Sequence, residues 1–257
     1  MNDAEYNALP GIRRSDLWKM KQTPAHFKYA IENPEDPTPA LIFGQAAHKY
    51  ILEPETFFDE FEVIPKVDRR TTKGKEVIRA FEQLHSGKTF ITDDEMQTIY
   101  RMRAALLKND TARALLDGEI RTEIPFSWVD PETGERCKVK IDILTEQNGM
   151  PLIVDYKTTT SCADGSFERS CRKYGYHFQA GMYTEGVRRS TLEDREFVFL
   201  AQEKDPPYAV RVYWCENDFV ERGMEIFHDL LRTYHKCKTD NDWPGYEDST
   251  LYREEWD

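Results

Sequence analysis

Residues 121–157 hold three short runs with the two-residue apolar period of a strand, separated by two tight turns. The first, 121–129, reads RTEIPFSWV and ends at the turn Pro131-Glu132-Thr133-Gly134. The second, 137–145, reads CKVKIDILT, and a Gln147-Asn148-Gly149 turn leads into PLIVDYK at 151–157. Three strands joined by connections this short make an antiparallel meander. A meander needs helices or further strands to cover it, so it constrains how the rest of the chain is used.

The meander carries Asp142 on its second strand, then Asp155 and Lys157 on its third. Strand alternation predicts that Val139, Ile141 and Ile143 face one way, and Lys140, Asp142 and Leu144 the other. Asp155 closes the apolar run Leu152-Ile153-Val154, where a lone carboxylate is costly without a partner. One reading pairs both acids with lysines at strand ends. The other gives two carboxylates that hold a hard divalent cation and a lysine that orients water and neutralises developing charge, the needs of phosphodiester hydrolysis.

Helical signals occupy the chain before the meander. Ser15 is a candidate cap for SDLWKMK, and Thr23-Pro24 opens a second helix with proline in the first helical position. Residues 40–53 (ALIFGQAAHKYILE) have helical apolar spacing, 61–75 read as a loop or short strand, and 75–86 and 93–116 as helices, with Thr92 capping the latter. After the meander come a helix at 173–189, strands at 195–202 and 208–214, and a long helix at 217–238. The expectation is one domain over 1–257: a mainly helical part (1–118), a core (119–240) and an acidic, aromatic tail (241–257).

Further candidates sit outside the acid pair. Gln179 and Tyr183, four apart, share one helical face, either as the polar edge of an amphipathic helix or as groups reaching phosphate or the lysine. His48 follows the small residues Gly44, Ala46 and Ala47, which allow its helix a close approach; it reads as a structural histidine or as a metal ligand. Glu123 taken alone is an ordinary strand-edge acid. Arg69, Arg70, Lys73 and Lys75 form a basic stretch, read as a solvated loop or a DNA contact, with Thr71, Thr72 and Gly74 suiting an exposed flexible loop.

The net charge of −12 argues against a general nucleic-acid binder, although a confined basic lining can act within an acidic exterior. No run approaches the roughly 20 apolar residues of a membrane span, and the first residues lack a basic-then-apolar leader. Five cysteines, odd in number and widely spaced, give no disulfide framework, so a reducing cytoplasmic setting is expected.

Taken in order, His48, Glu123, Asp142, Asp155-Tyr156-Lys157 and Gln179-x-x-x-Tyr183 resemble the PD-(D/E)xK nuclease superfamily, in particular the branch of the RecB nuclease domain and exonuclease VIII. SDLWKMKQTPAHFKYA, FGQAAHKYILEP, RRTTKGKE and the late WPGY extend the likeness from about residue 10 to about 246. The resemblance implies an α/β (α+β) fold: an αβββαβ restriction-endonuclease-like core, its mixed central sheet flanked by helices, with N-terminal helical additions. It implies His48, Asp142, Asp155 and the Tyr156 carbonyl as metal ligands, with Glu123 on metal or water. Lys157 would position the attacking water, and Gln179 and Tyr183 would support the lysine and the phosphate. The superfamily's second acid is often Glu where this chain has Asp155, a replacement the exonuclease VIII branch accepts.

That branch further implies Mg2+ (or Mn2+) and 5′-to-3′ digestion of one strand at double-stranded DNA ends. It also implies a toroidal homo-oligomer, such as a tetramer, a single-strand annealing protein as partner, and no membrane association. No iron–sulfur cluster is expected, because Cys137, Cys162, Cys171, Cys215 and Cys237 include none before the active-site strands and no close late cluster. The competing readings are another RecB-like nuclease and a non-catalytic DNA-end-binding module. The tail, with Trp243, Tyr246, Tyr252 and Trp256, would wrap along its own domain or dock a partner.

Overall fold

The structure, a computed structural model, describes residues 3–249. Its N-terminal part contains α1 (Asp3–Ala8), β1 (Ile12–Arg13), α2 (Arg14–Leu17), α3 (Pro24–Glu32), α4 (Pro39–Leu52) and α5 (Phe57–Glu60). Next come β2 (Phe61–Val63), α6 (Thr72–Leu84), β3 (Thr89–Ile91), α7 (Asp93–Leu106) and α8 (Asp110–Leu116). The meander is β4 (Arg121–Val129), β5 (Arg136–Gln147) and β6 (Met150–Thr159). It is followed by α9 (Ser166–Tyr174), α10 (Tyr176–Thr191), β7 (Glu196–Glu203), β8 (Val210–Trp214) and α11 (Asn217–Asp240). The fold is the mixed α/β sheet flanked by helices that the sequence implies.

Local chemistry explains the helix boundaries. The Thr23 and Thr38 side chains each accept the backbone N–H three residues on, with a proline at the next position, and Thr92 with Glu95 forms a reciprocal capping box. Ser15 is not a cap: α2 starts at Arg14 from an extended Arg13 that makes no side-chain cap. The helix expected at 93–116 is two, because Asn109 leaves the helical conformation and its side chain caps α8 by accepting from Ala112 N–H. The helix expected at 173–189 is also two, α9 and α10, with Gly175 between them at φ +67. Only glycine fits that corner, since a Cβ there would lie 2.4 Å from the Trp18 ring. The short parallel pair β2–β3 includes a strand, residues 89–91, that was not expected.

The six-stranded sheet runs β1-β5-β6-β7-β8, with β4 along the outer side of β5. β4–β5, β5–β6 and β7–β8 are antiparallel, and β6–β7 is parallel across the α9–α10 crossover. On its inner side β5 pairs with β1 at Cys137 and Lys138 and with β6 from Ile143 onward. Between them β5 has no ladder partner on that side, and β6 splays away beyond Val154 to follow β7.

Two apolar clusters cover the sheet. One joins Val139, Ile141, Leu144 and Ile153 to α10 and α11 through Phe178, Ala180 and Phe227. The other joins Ile143, Leu152, Val154 and Tyr156 to α4 and α8 through Ile51, Leu52 and Leu115. Ile143 therefore packs apart from Val139 and Ile141, and the regular alternation expected along β5 breaks at Asp142. The cause stands directly across the strand pair. Glu123 lies in the left-handed region at φ +53, and the β4–β5 ladder passes from Thr122↔Ile143 to Ile124↔Ile141 without joining Glu123 to Asp142.

Candidate active site

Glu123, Asp142 and Asp155 each follow or precede a paired residue, Thr122↔Ile143 on β4–β5 and Ile143↔Val154 on β5–β6, and so come side by side as one row at the point where β5 and β6 part. Parting leaves the Tyr156 N–H without a strand partner on β5, and it donates instead to Asp142 Oδ2 at 2.9 Å. α4 lies over this gap. Its Gly44 comes near β6, with space for a Cβ only 3.6 Å from Thr158 Oγ1, and Ala46 and Ala47 are fully buried. The close approach brings His48 down between the acids, its Nε2 2.8 Å from Asp142 Oδ2 and its Nδ1 3.5 Å from Glu123 Oε1. Glu123 Oε2 is paired with Lys140.

On the other side of the row, Asp155 is almost completely buried. Its Oδ1 accepts from Gln179 Nε2 at 2.5 Å, and its Oδ2 lies 2.5 Å from Lys157 Nζ. Gln179 comes from the second turn of α10 and is itself buried. Tyr183, one turn on, is close enough that its hydroxyl is raised far above the ordinary tyrosine value, first by burial and then by Asp155 and Asp142.

Burial and neighbouring charge pull the two aspartates apart. Burial raises Asp155, and the charge on Asp142 adds to it, against the opposing pull of Lys157. Burial alone would raise Asp142 too, but His48, Lys157 and the Tyr156 N–H hold it below the usual carboxylate range. Burial opposes charge on His48, yet Asp142 and Glu123 outweigh it and raise the imidazole. Glu123 is raised, chiefly by burial.

His48, Glu123 and Asp142 offer one donor atom each, all within 4.8 Å of one another. Glu123 Oε1 is buried and receives no hydrogen bond. An imidazole nitrogen and two carboxylates, one with an oxygen left open, suit a divalent cation, so the residues present fit the metal that the fold implies. The grouping holds two of the implied ligands, His48 and Asp142, with Glu123, the residue expected on metal or water; Asp155 stands beside it, its Oδ1 accepting from Gln179 and its Oδ2 against Lys157.

A cavity of about 400 Å³ opens over the site, lined by Gly44, His48, Glu123, Lys140, Lys157 and Tyr176 among others. Tyr176 is a site residue that sequence reasoning missed. It is the first residue of α10, and its ring centroid lies 5.2 Å from Lys157 Nζ. The available signal was its spacing, three before Gln179 and seven before Tyr183, on the same helical face.

The basic stretch stands elsewhere. Arg69, Arg70, Lys73 and Lys75 are exposed, and none lines this cavity. Nor is the stretch a flexible loop: Thr71 caps α6, Lys73 and Lys75 lie in its first turns, and Gly74 is buried where a Cβ would meet Asp68 O at 2.0 Å. The tail wraps onto its own domain as far as it is described. Trp243 stacks on Phe27 at 5.5 Å, Pro244 O accepts from Ala25 N–H, and Gln22 donates to the Tyr246 hydroxyl. Tyr252 and Trp256 lie outside the described residues. Among those residues no helix is long and apolar enough to cross a membrane.

Comparison with known proteins agrees with this fold. Residues 14–255 match the model of a family described as a PDDEXK-like domain of unknown function (DUF3799), and the chain belongs to that family. No curated protein matches. Among solved structures, "Putative exonuclease" from Eubacterium rectale aligns over 100% of this chain and 97% of its own at 13% identity, with a TM-score of 0.64, a likeness of fold. SSO0001, also 13% identical, aligns over 74% of this chain and 85% of its own with a TM-score of 0.32, too low to carry an argument.

Proposed function

We propose that this PDDEXK-like protein is a divalent-metal-dependent deoxyribonuclease, an exonuclease acting at the ends of linear double-stranded DNA. The observation that carries the reading is the convergence of His48, Glu123 and Asp142 beside the buried Asp155–Lys157 pair, under an open cavity. His48, Glu123 and Asp142 would hold the metal. When bound, it would supply Lewis acidity and a water of lowered pKa, with Mg2+ or Mn2+ as the candidates.

The chain's own groups account for the remaining needs of phosphodiester hydrolysis. The Lys157 ammonium borders the cavity, where it can orient the attacking water and offset charge developing on the phosphate. Asp155 holds that ammonium from below, and Gln179 fixes Asp155 through its second oxygen. Lys140 leaves Glu123 Oε2 neutralised and Oε1 facing His48.

The finer reading rests on the resemblance to exonuclease VIII. It comprises 5′-to-3′ polarity, 3′ overhangs for recombination by strand annealing, a toroidal oligomer and an annealing protein as partner.

The test is digestion of linear duplex DNA labelled at one 5′ end, with magnesium, with EDTA, and with Asp155→Ala. The expected result is release of labelled mononucleotides or short oligonucleotides in magnesium alone, abolished by EDTA and by the variant. Label retained on shortening strands would reverse the polarity. DNA-end binding without cleavage in any divalent metal would replace the enzyme with a binding module.

A further inference from the structure

Near the candidate site, two aromatic rings flanked by lysines form a path from Lys157 to the surface. The Lys157 ammonium lies 5.2 Å from the Tyr176 ring, that ring 5.9 Å from Tyr174, and Tyr174 5.1 Å from Lys173 Nζ. Tyr174 is 46% exposed at the end of α9. Arg172 and Lys173 are exposed, and neither has an acidic partner among the described residues.

The corner that presents them is held rigidly from behind. Arg14 donates to the Tyr174 and Gly175 carbonyls, and Trp18 fills the space a Cβ on Gly175 would need. Lys21 extends the positive surface, its ammonium 4.6 Å from the Trp18 ring and without an acidic partner among the described residues. The neighbouring His177 is lowered by burial first and then by the nearby charge of Lys21, against a backbone hydrogen bond at Cys171 that raises it.

A solvated face is the ordinary explanation for surface lysines and arginines, and several here fit it: Arg222 pairs with Glu225, and Lys19 with Asp16. Within the basic stretch near α6, Arg70 fits it as well, since it pairs with Asp68. The α9–α10 corner differs in two ways. Its cations are interleaved with an exposed ring, and the path runs without a break to Lys157. Cations that track phosphates beside rings that take base faces are the means by which proteins grip unpaired strands.

We infer that the α9–α10 corner is a contact surface for single-stranded DNA, with phosphates against Arg172, Lys173 and Lys21 and a base stacked on Tyr174. The inference rests on the nuclease reading for the identity of its ligand. A strand held there would run from the surface to the Lys157 side of the cavity.

The experiment measures binding without catalysis: fluorescence anisotropy of a labelled oligothymidylate in EDTA over a salt series. The proteins are wild type, Arg172→Ala/Lys173→Ala, Tyr174→Ala, Tyr174→Phe and, as a control, Arg69→Ala/Arg70→Ala, each checked for an unchanged thermal midpoint. The double variant is expected to flatten the slope of log affinity against log salt by about 1.4, at about 0.7 for each phosphate no longer neutralised. Tyr174→Ala should weaken binding by about 5- to 150-fold, the range for one stacked base, while Tyr174→Phe keeps it. The control should bind as wild type does.

Wild-type affinity and slope in both the double variant and Tyr174→Ala would overturn the surface, even if the protein cuts DNA. Wild-type protein that binds the oligonucleotide through this corner but never cuts with magnesium or manganese would overturn the nuclease reading and leave the surface standing.

Discussion

Replacing Gly223 with alanine tests the packing that holds α10 over the site. Gly223 lies in α11 where that helix crosses α10. A Cβ there would stand 1.8 Å from the His177 carbonyl oxygen, 2.6 Å from its carbon and 3.1 Å from Gly181 N. All three are backbone atoms, so no side chain can swing aside, and the helices must separate by about 1.2 Å to bring the first contact to 3.0 Å. Overpacking of this kind costs about 1–3 kcal/mol, and the absence of a yielding side chain places it near 3. Alanine recovers about 1 kcal/mol of helix propensity. The net loss is about 2 kcal/mol, a fall in Tm of about 4–8 °C for a chain of this size.

Gly44→Ala provides the contrast. Its Cβ would meet Thr158 Oγ1 at an ordinary 3.6 Å, so propensity should win and Tm should hold or rise. Thermal unfolding followed by circular dichroism reads both. Because His177 belongs to the first turn of α10, Gly223→Ala should also lower DNA cleavage by the folded fraction, through displaced Tyr176 and Gln179. A Gly223→Ala protein that melts at or above the wild-type temperature would refute the argument that backbone contact sets this crossing.

Two further outcomes follow from particular contacts. Under the proposed function, Tyr176→Phe keeps the ring face beside Lys157 and should match the wild-type rate in the cleavage assay. Tyr176→Leu loses about 1 kcal/mol of cation–π support and should show kcat about five-fold lower with KM little changed; equal activity of the two variants would remove Tyr176 from the positioning of Lys157. Glu135 accepts from Lys238 at 2.7 Å and pairs with His235 at 3.0 Å; burial opposes its charge, but these partners hold its pKa below the ordinary value. A carboxylate lowered by folding contributes stability above its unfolded pKa, near 4.3, and loses it as pH falls through the lower folded value. Wild type should therefore exceed Glu135→Gln in denaturant midpoint at neutral pH and converge with it in acid; a gap independent of pH would refute the assignment.

The meander was legible in the amino-acid order, because two-residue alternation and Gly-containing turns are local signals that need no distant partner. So was the order of elements, and Asp142, Asp155 and Lys157 stood out from their strand positions, whereas His48, Glu123 and Gln179 gained weight only from the resemblance. The caps at Thr23 and Thr92 were legible for the same reason, since each satisfies N–H groups a few residues away. The remaining features depend on segments far apart in the chain.

Gly175 breaks the helix because Trp18, more than 150 residues earlier, occupies the space of its side chain. The facing of β5 changes at Asp142 because Glu123, on another strand, adopts a left-handed backbone opposite it. Glu123 joins His48 and Asp142, while Asp155 turns to Lys157 and Gln179, because β5 and β6 part at that row and α4 drops into the gap. Tyr176 reaches Lys157 only once the glycine corner has set where α10 starts. Sequence periodicity reports which face a residue occupies within its own element. Which faces meet, and at what distance, is fixed by how the elements pack.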